Sequence, residues 1–315
     1  MVDTCLFRGA EACILRNDRL AVVVLKIGGK IASIRKDDRE YLYQGRSEEF
    51  IPPQFEGDFG KFDLSGFDDM VPTINAGFIQ DGVFAGVHMA DHGEVWALGW
   101  NLEAGSDAIR ADVDGVRLPY HFSKELKLHD NVLSVEYRLC NKSEFAFPCL
   151  WAAHMLINAG EDTRIIPAEC GGLVRSTLDM SSRLKGFGAL HSWPETRDRN
   201  GCAYHLDRLA PRDAGVCEKY YFEGPLRNGE IGIMNPGMTI RFDPKTIPYL
   251  GIWLNSKGYK DQYNIGIEPS TAPLDSPENA RQWGYPALLE GHGEIRWRLE
   301  IEINPVDPVA AGAEK

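Results

Sequence analysis

Glu294-Ile295-Arg296-Trp297-Arg298-Leu299-Glu300-Ile301-Glu302-Ile303 is the stretch whose reading decides the fold. Ile295, Trp297, Leu299, Ile301 and Ile303 alternate with charged residues. An extended chain sends successive side chains to opposite faces, so this period of two sets one side against a core and the other in water. Working back from it, short runs rich in β-branched and aromatic residues recur at Leu20 to Ile27, Lys30 to Ile34, Tyr41 to Tyr43, Tyr120 to Phe122 and Val132 to Leu139. Others follow at Tyr220 to Phe222, Ile231 to Met234, Met238 to Phe242, Tyr249 to Leu254 and Tyr263 to Ile267. The 32 glycines and 18 prolines serve as turn punctuation between them. Strands this numerous pack as two face-to-face sheets or close into a barrel. Ser276-Pro277-Glu278-Asn279-Ala280-Arg281 predicts one short helix, with a serine cap and a first-turn proline. The expectation is an all-β chain built as one large antiparallel β-sandwich.

The 315 residues allow one large or two ordinary domains, and no linker-like shift in composition divides them. Residues 1–305 are read as one sandwich domain and residues 306–315, small and polar, as a frayed tail. The segment Phe50 to Trp100 differs from the rest. It is long, glycine-rich and aromatic, and reads poorly as strands, so it is expected to be a binding loop or a cover for a sheet face.

A net charge of -12 repels phosphate backbones, which argues against nucleic acid as a partner. The N-terminus shows no signal pattern, and the longest early apolar run, Leu20 to Leu25, is far too short to span a bilayer. Seven cysteines at irregular spacings, with no Cys-x-x-Cys pair, point away from a zinc knuckle or disulfide framework. They suggest free thiols in a reducing compartment, and a cytoplasmic protein is expected.

The chemistry concentrates in three places. Glu268 ends the apolar run Tyr263-Asn264-Ile265-Gly266-Ile267 and is followed at once by Pro269, which terminates a ladder. A carboxylate in such a run is held by a partner or a task, and proton abstraction is a task that suits it. His154 lies in Trp151-Ala152-Ala153-His154-Met155, and His92 in Asp91-His92-Gly93-Glu94. A lone histidine in an apolar strand is more often a core residue than an acid. Metal binding is discounted, because there is no His-x-His and no helical spacing between ligands. Most of the seven tryptophans read as core, while one or two could stack on the apolar face of a pyranose. Gly-x-Ser-x-Gly, the Gly-Lys-Ser/Thr phosphate loop and Gly-x-Gly-x-x-Gly after a strand are absent.

Taken in order, these segments resemble the aldose 1-epimerase (galactose mutarotase-like) superfamily. The resemblance rests on Gly28-Gly29-Lys30-Ile31 after the opening strand, Asp91-His92-Gly93-Glu94, Trp151-Ala152-Ala153-His154, Ile267-Glu268-Pro269 with Asp275, and Leu289-Glu290-Gly291-His292-Gly293-Glu294 running into Trp297. It covers nearly the whole chain. It implies a galactose mutarotase-like supersandwich with a sugar cleft on one sheet. It also implies an isomerase that interconverts sugar anomers without a cofactor. In that scheme Glu268 is the general base for the anomeric hydroxyl, His154 is the general acid for the ring oxygen, and His92 holds a hydroxyl or polarises the ring oxygen. Asp69, Trp96, Trp151 and Glu218 complete the expected substrate-binding set.

The chain departs from the superfamily pattern at two points. Relatives carry an arginine shortly after the His-Gly pair, where this chain has Glu94, Val95 and Trp96. A substrate-binding aspartate precedes an aromatic strand in relatives; here Cys217-Glu218-Lys219-Tyr220-Tyr221 stands there, with Glu218 as its substitute and Asp68 and Asp69 as compensation. Loss of the arginine argues against a phosphorylated sugar. The implied partner is a small-molecule carbohydrate, with no nucleic acid and no membrane, and a homodimer is left open. The alternative is a non-catalytic carbohydrate-binding or sensing protein on the same sandwich, since fold alone does not fix activity. A polysaccharide-active enzyme is the third option.

Overall fold

The structure, a computed structural model, describes residues 1–168 and 172–304; the expected tail at 306–315 lies outside the described residues. Two antiparallel sheets face each other. Among the described residues, the larger has twelve strands. From one edge its order is Val2–Phe7, Ala10–Arg16, Ala21–Leu25, Ile31–Lys36, Phe67–Met70, Ala152–Ile157, Tyr263–Ser270, Tyr249–Ser256, Val216–Phe222, Leu173–Asp179 and Leu190–Ser192. The short strand Arg39–Glu40 pairs beside Ile31–Lys36. The second sheet has eight strands and contains Glu294–Ile303 between Met238–Phe242 and Val132–Asn141. The chain is therefore an all-β sandwich, as the alternation in Glu294–Ile303 implies. The short helix Pro277–Gln282 forms as expected, with the Ser276 side chain accepting from Asn279 N–H. No helix of the described residues is long and apolar enough to cross a membrane.

The core lies between the sheets and is fixed by the strand pleat. In Glu294–Ile303, Trp297, Leu299, Ile301 and Ile303 are buried as the period predicts, while Ile295, near the start of the strand, is 38% exposed. Trp297 stacks on Tyr137 with ring centroids 5.2 Å apart and meets Trp151 from the other sheet at 4.9 Å. Such aromatic pairs contribute about 0.5–1.5 kcal/mol each beyond their buried area. Trp151 is thus a structural link between sheets. Its expected place against a sugar is corrected: it is fully buried in the core and does not line the cleft.

Phe50 to Trp100 is mostly irregular, but Phe67–Met70 inside it is a central strand of the larger sheet. Its two consecutive aspartates hide the strand pattern. The pleat sends them to opposite faces, and each meets a lysine. Asp68 lies 3.0 Å from Lys30. Asp69 points between the sheets, accepts from Lys124 Nζ at 2.7 Å and from the Trp151 indole N–H at 2.8 Å, and is fully buried. Asp69 therefore pins one sheet to the other and is not a sugar ligand, and Asp68 does not line the cleft either. Breaking a buried pair from one side strands the other charge, at about 3–5 kcal/mol. Asp69→Ala is expected to lower the denaturant midpoint by that order, and adding Lys124→Met should recover much of the loss. Equal destabilisation by the single and double variants in equilibrium unfolding would contradict the account.

Candidate active site

The strands in the middle of the larger sheet bury both faces, and the pleat decides which residues reach the cleft. In Tyr263–Ser270, Tyr263, Ile265 and Ile267 join the core, which leaves Asn264, Gly266, Glu268 and Ser270 on the other face. In Ala152–Ile157, Ala153, Met155 and Ile157 join the core, leaving His154 and Leu156 opposite. The two strands are neighbours. Their register puts Met155 against Ile267 and Ala152 against Ser270, so His154 falls beside Glu268. On the far side His154 pairs with Asp68, and Glu268 pairs with Gly251. Gly266 keeps the floor open: a Cβ there would lie 2.9 Å from Trp253 Cβ and 3.4 Å from Glu268 Oε1.

Glu268, His154 and His92 all line one cavity of about 340 Å³. That volume lies in the lower part of the ~300–1,000 Å³ range of small-molecule sites. Phe59, Asn75, Asp91, Thr177, Trp253, Tyr259, Gln262, Lys219 and Asp275 contribute to its wall. Thr177 Oγ1 is buried there without a hydrogen-bond partner. A larger, shallower depression of about 880 Å³ lies on the eight-stranded sheet. Its charges, such as Arg110 with Glu125 and Arg298 with Glu300, already pair with each other, so the smaller cavity is the better site.

Two left-handed turns bring in the loop residues. His92 (φ 59°) and Gly93 (φ 74°) make the first; a Cβ on Gly93 would sit 2.1 Å from Val71 O, so only glycine fits. Leu274 (φ 67°) and Asp275 (φ 69°) make the second, and a leucine in this region is costly, of order 1–3 kcal/mol. The segment at Ile74 ties the turns together: His92 N–H donates to Ile74 O at 2.5 Å, and Ile74 N–H donates to Asp275 O at 3.1 Å.

His92 lies flat on Phe59, with centroids 3.8 Å apart, and edge-on to His154 at 5.3 Å. Its Nδ1 is 3.1 Å from Asp91 Oδ1, which orients Nε2 away from that carboxylate. Burial raises the Asp91 carboxyl, but hydrogen bonds from His92 and backbone amides outweigh it, and the pKa lies below the ordinary aspartate value. Trp96 stands behind this group. Its indole donates to Gly93 O at 3.0 Å and its ring meets Phe59 edge-on at 4.8 Å. It supports the wall without lining the cavity, which corrects its expected place as a sugar contact.

Lys219 is the residue the sequence reading missed. The expected ligand was Glu218, but Glu218 shares its face with the core residues Tyr220 and Phe222 and pairs with Arg183 at 2.7 Å, outside the cavity. One residue on, Lys219 faces the cleft. Its Nζ lies 2.5 Å from Glu268 Oε2, an ion pair in which Oε2 makes no aligned hydrogen bond, and 2.7 Å from Asp275 Oδ1. Asp275 also accepts from Tyr221 OH at 2.9 Å. Glu94, which follows His92-Gly93 directly, does not line the cavity. Its carboxylate accepts from Tyr120 OH and from the amides of Val116 and Arg117, holding a turn of the other sheet.

Burial raises the Glu268 carboxyl; Lys219 offsets part of this and Asp275 adds to it, for a net pKa above the ordinary glutamate value. Burial pulls the Lys219 ammonium down, but Asp275 and Glu268 more than compensate, so it stays charged. Burial, with the nearby charges of His92, Lys219 and Lys30, pushes His154 well below the usual histidine value. His154 is therefore a neutral imidazole near pH 7. Its Nδ1 is buried without a partner, which leaves Nε2 as the ring nitrogen available to a ligand.

A histidine depressed in the native state takes up its proton first in the unfolded chain, at about pH 6.5. Stability from neutral His154 is thus complete above that pH and declines as pH falls from it toward the lower native pKa. The slope approaches about 1.4 kcal/mol per pH unit. His154→Gln is expected to lose less stability than wild type between pH 7.5 and 5.5, measured by urea unfolding at both. Parallel losses in the two proteins would refute a depressed His154.

No protein-family model matches the chain, and no curated protein matches its sequence. Solved structures do match it in shape. A Klebsiella pneumoniae protein provisionally named an aldose 1-epimerase has a TM-score of 0.70 at 16% identity, over 96% of this chain and 82% of that one. A galactose mutarotase-like protein from Lactobacillus casei has a TM-score of 0.66 at 17% identity, over 93% of this chain and 100% of that one. Another, from Clostridium acetobutylicum, has a TM-score of 0.66 at 12% identity, over 96% and 98% of the two chains. With its twelve-stranded sheet backed by an eight-stranded one and its loop-roofed cleft, the chain has the galactose mutarotase-like fold, the fold also of proteins named for aldose 1-epimerase activity.

Proposed function

We propose that the protein is a cofactor-independent isomerase of the aldose 1-epimerase type, acting on a small sugar in the Glu268 cavity. One observation carries this reading: a buried carboxylate and a buried imidazole sit side by side on adjacent strands and open into the same cavity. The reaction needs a base for the anomeric hydroxyl and a donor for the ring oxygen. Glu268, its basicity raised by burial, takes the O1 proton. The electron pair forms the C1 carbonyl as the C1–O5 bond breaks, and O5 takes the ring N–H proton of His154, which recovers it when O5 attacks C1 on reclosure. His154 supplies the hydrogen bond to O5 as a neutral imidazole, the form in which a histidine polarises an oxygen without carrying a charge. Rotation about C1–C2 and reclosure give the other anomer, with the proton returned to O1 from Glu268. His92, oriented by Asp91, holds a neighbouring hydroxyl or shares the ring oxygen. Trp253 offers a flat apolar wall to the ring, while Phe59 backs His92.

Lys219 favours the second reading, a sugar-binding or sensing protein, because an ammonium 2.5 Å from Glu268 stabilises the carboxylate against taking a proton. Saturation-transfer NMR on a panel of aldoses separates the two. Glu268→Gln and His154→Asn are each expected to cut anomer exchange by ~10²–10⁴-fold on an accepted sugar. Exchange at the spontaneous rate in wild type, with sugar bound, would favour the binding protein. Full activity in both variants would remove the catalytic assignment.

A further inference from the structure

The Lys219 ammonium, shared by two carboxylates in the candidate site, carries an inference that rests on Glu268 being the base. We propose that Lys219 is a positioning residue for Glu268: it fixes Oε2, leaves Oε1 for the substrate, and holds the carboxylate in its charged, proton-accepting state.

The geometry is built for this contact. Lys219 sits on Val216–Phe222, and one strand, Tyr249–Ser256, separates it from Glu268. The residue between Tyr221 and Glu268 in that strand is Gly251, which has no side chain to block the crossing; a Cβ there would lie 3.0 Å from the Tyr221 ring. Lys219 itself pairs with Trp253, and both line the cavity. Asp275 comes from the left-handed turn after the Glu268 strand and meets Nζ from the second side, while Tyr221 OH fixes the Asp275 carboxylate. One cation thus lies between two acids, all three buried. The other titratable groups around Glu268 are His154 on the next strand, His92 on the loop and Tyr221 on the strand of Lys219.

Without Lys219, burial and the Asp275 charge would both favour protonated Glu268, and a protonated base abstracts nothing. Asp275 acts in the opposite sense: it draws on the same ammonium and repels the Glu268 charge. The two neighbours therefore move the Glu268 equilibrium in opposite directions, which a merely structural ion pair need not do.

The test reads Glu268 directly by infrared spectroscopy of ¹³C-labelled glutamate carboxyls across pH, with Glu268→Gln identifying the band. In Lys219→Met the Glu268 carboxyl is expected to stay protonated ~1–3 pH units higher than in wild type. In Asp275→Asn, which keeps the shape and leaves Lys219 to Glu268 alone, it should ionise at lower pH. The acid limb of kcat/KM for anomer exchange should shift with it, and Lys219→Arg should restore most of the wild-type profile. If Lys219→Met does not fold, Asp275→Asn carries the test by itself. An unmoved Glu268 band in a folded variant overturns the proposal. A band that moves as expected in a protein that exchanges no anomers upholds the clamp and instead overturns the catalytic reading on which its role rests.

Discussion

A strand can send only every second side chain to one face, and both the core and the cleft depend on that constraint. Along Phe67–Met70, Ala152–Ile157, Tyr263–Ser270, Tyr249–Ser256 and Val216–Phe222, one parity builds the space between the sheets. The other builds the floor of the cavity. His154, Glu268 and Lys219 belong to the second set, and Asp69, Glu218 and Tyr220 to the first. A one-residue slip in any of these strands would exchange an ion pair of the core for a group of the cleft. The register is held by the apolar parity, since moving Ile265 and Ile267 to the cleft would expose them and bury Glu268 against the other sheet.

The same sheet buries an unusual amount of charge. Lys124 meets Asp69 and Arg183 meets Glu218, each a cation facing one carboxylate, while Lys30 lies 3.0 Å from Asp68 and 4.0 Å from Asp63. Buried pairs of this kind are roughly neutral to stability compared with apolar replacements, so their value is in fixing geometry. Lys219 differs, because two carboxylates close on one ammonium and one of them faces the cavity. The excess negative charge left there, together with Asp91 nearby, suits a neutral polyol better than an anion. The turn at Leu274 and Asp275 is held against its backbone preference by the ammonium, by Tyr221 and by the backbone bonds to Ile74 and Asn75.

Much of this was legible in the sequence. The alternation in Glu294–Ile303 announced the sandwich because that strand has one wet face. The central strands gave no such alternation, since both of their faces are covered, and there the polar exceptions were the signal. Glu268 and His154 stood out for that reason. The reading erred where two polar residues adjoin. Glu218-Lys219 and Asp68-Asp69 each place one member on either face, and only the parity of their neighbours assigns them. Tyr220 and Phe222 share parity with Glu218, which was the available clue that Lys219 and not Glu218 meets the cleft. Trp151 and Trp96 were misplaced for another reason: their indole N–H groups find partners inside the fold, in Asp69 and in the Gly93 carbonyl, so they need no ligand.

The most direct measurement of the central claim is a crystal structure with an unreactive monosaccharide bound, such as a methyl glycoside or a 1-deoxy analogue of an aldose. The account requires the ring to lie between Glu268 and His154, with the anomeric position toward Glu268 Oε1 and the ring heteroatom toward the imidazole. A sugar seated on the eight-stranded sheet, or one in the cleft with its anomeric carbon turned away from Glu268, would contradict it.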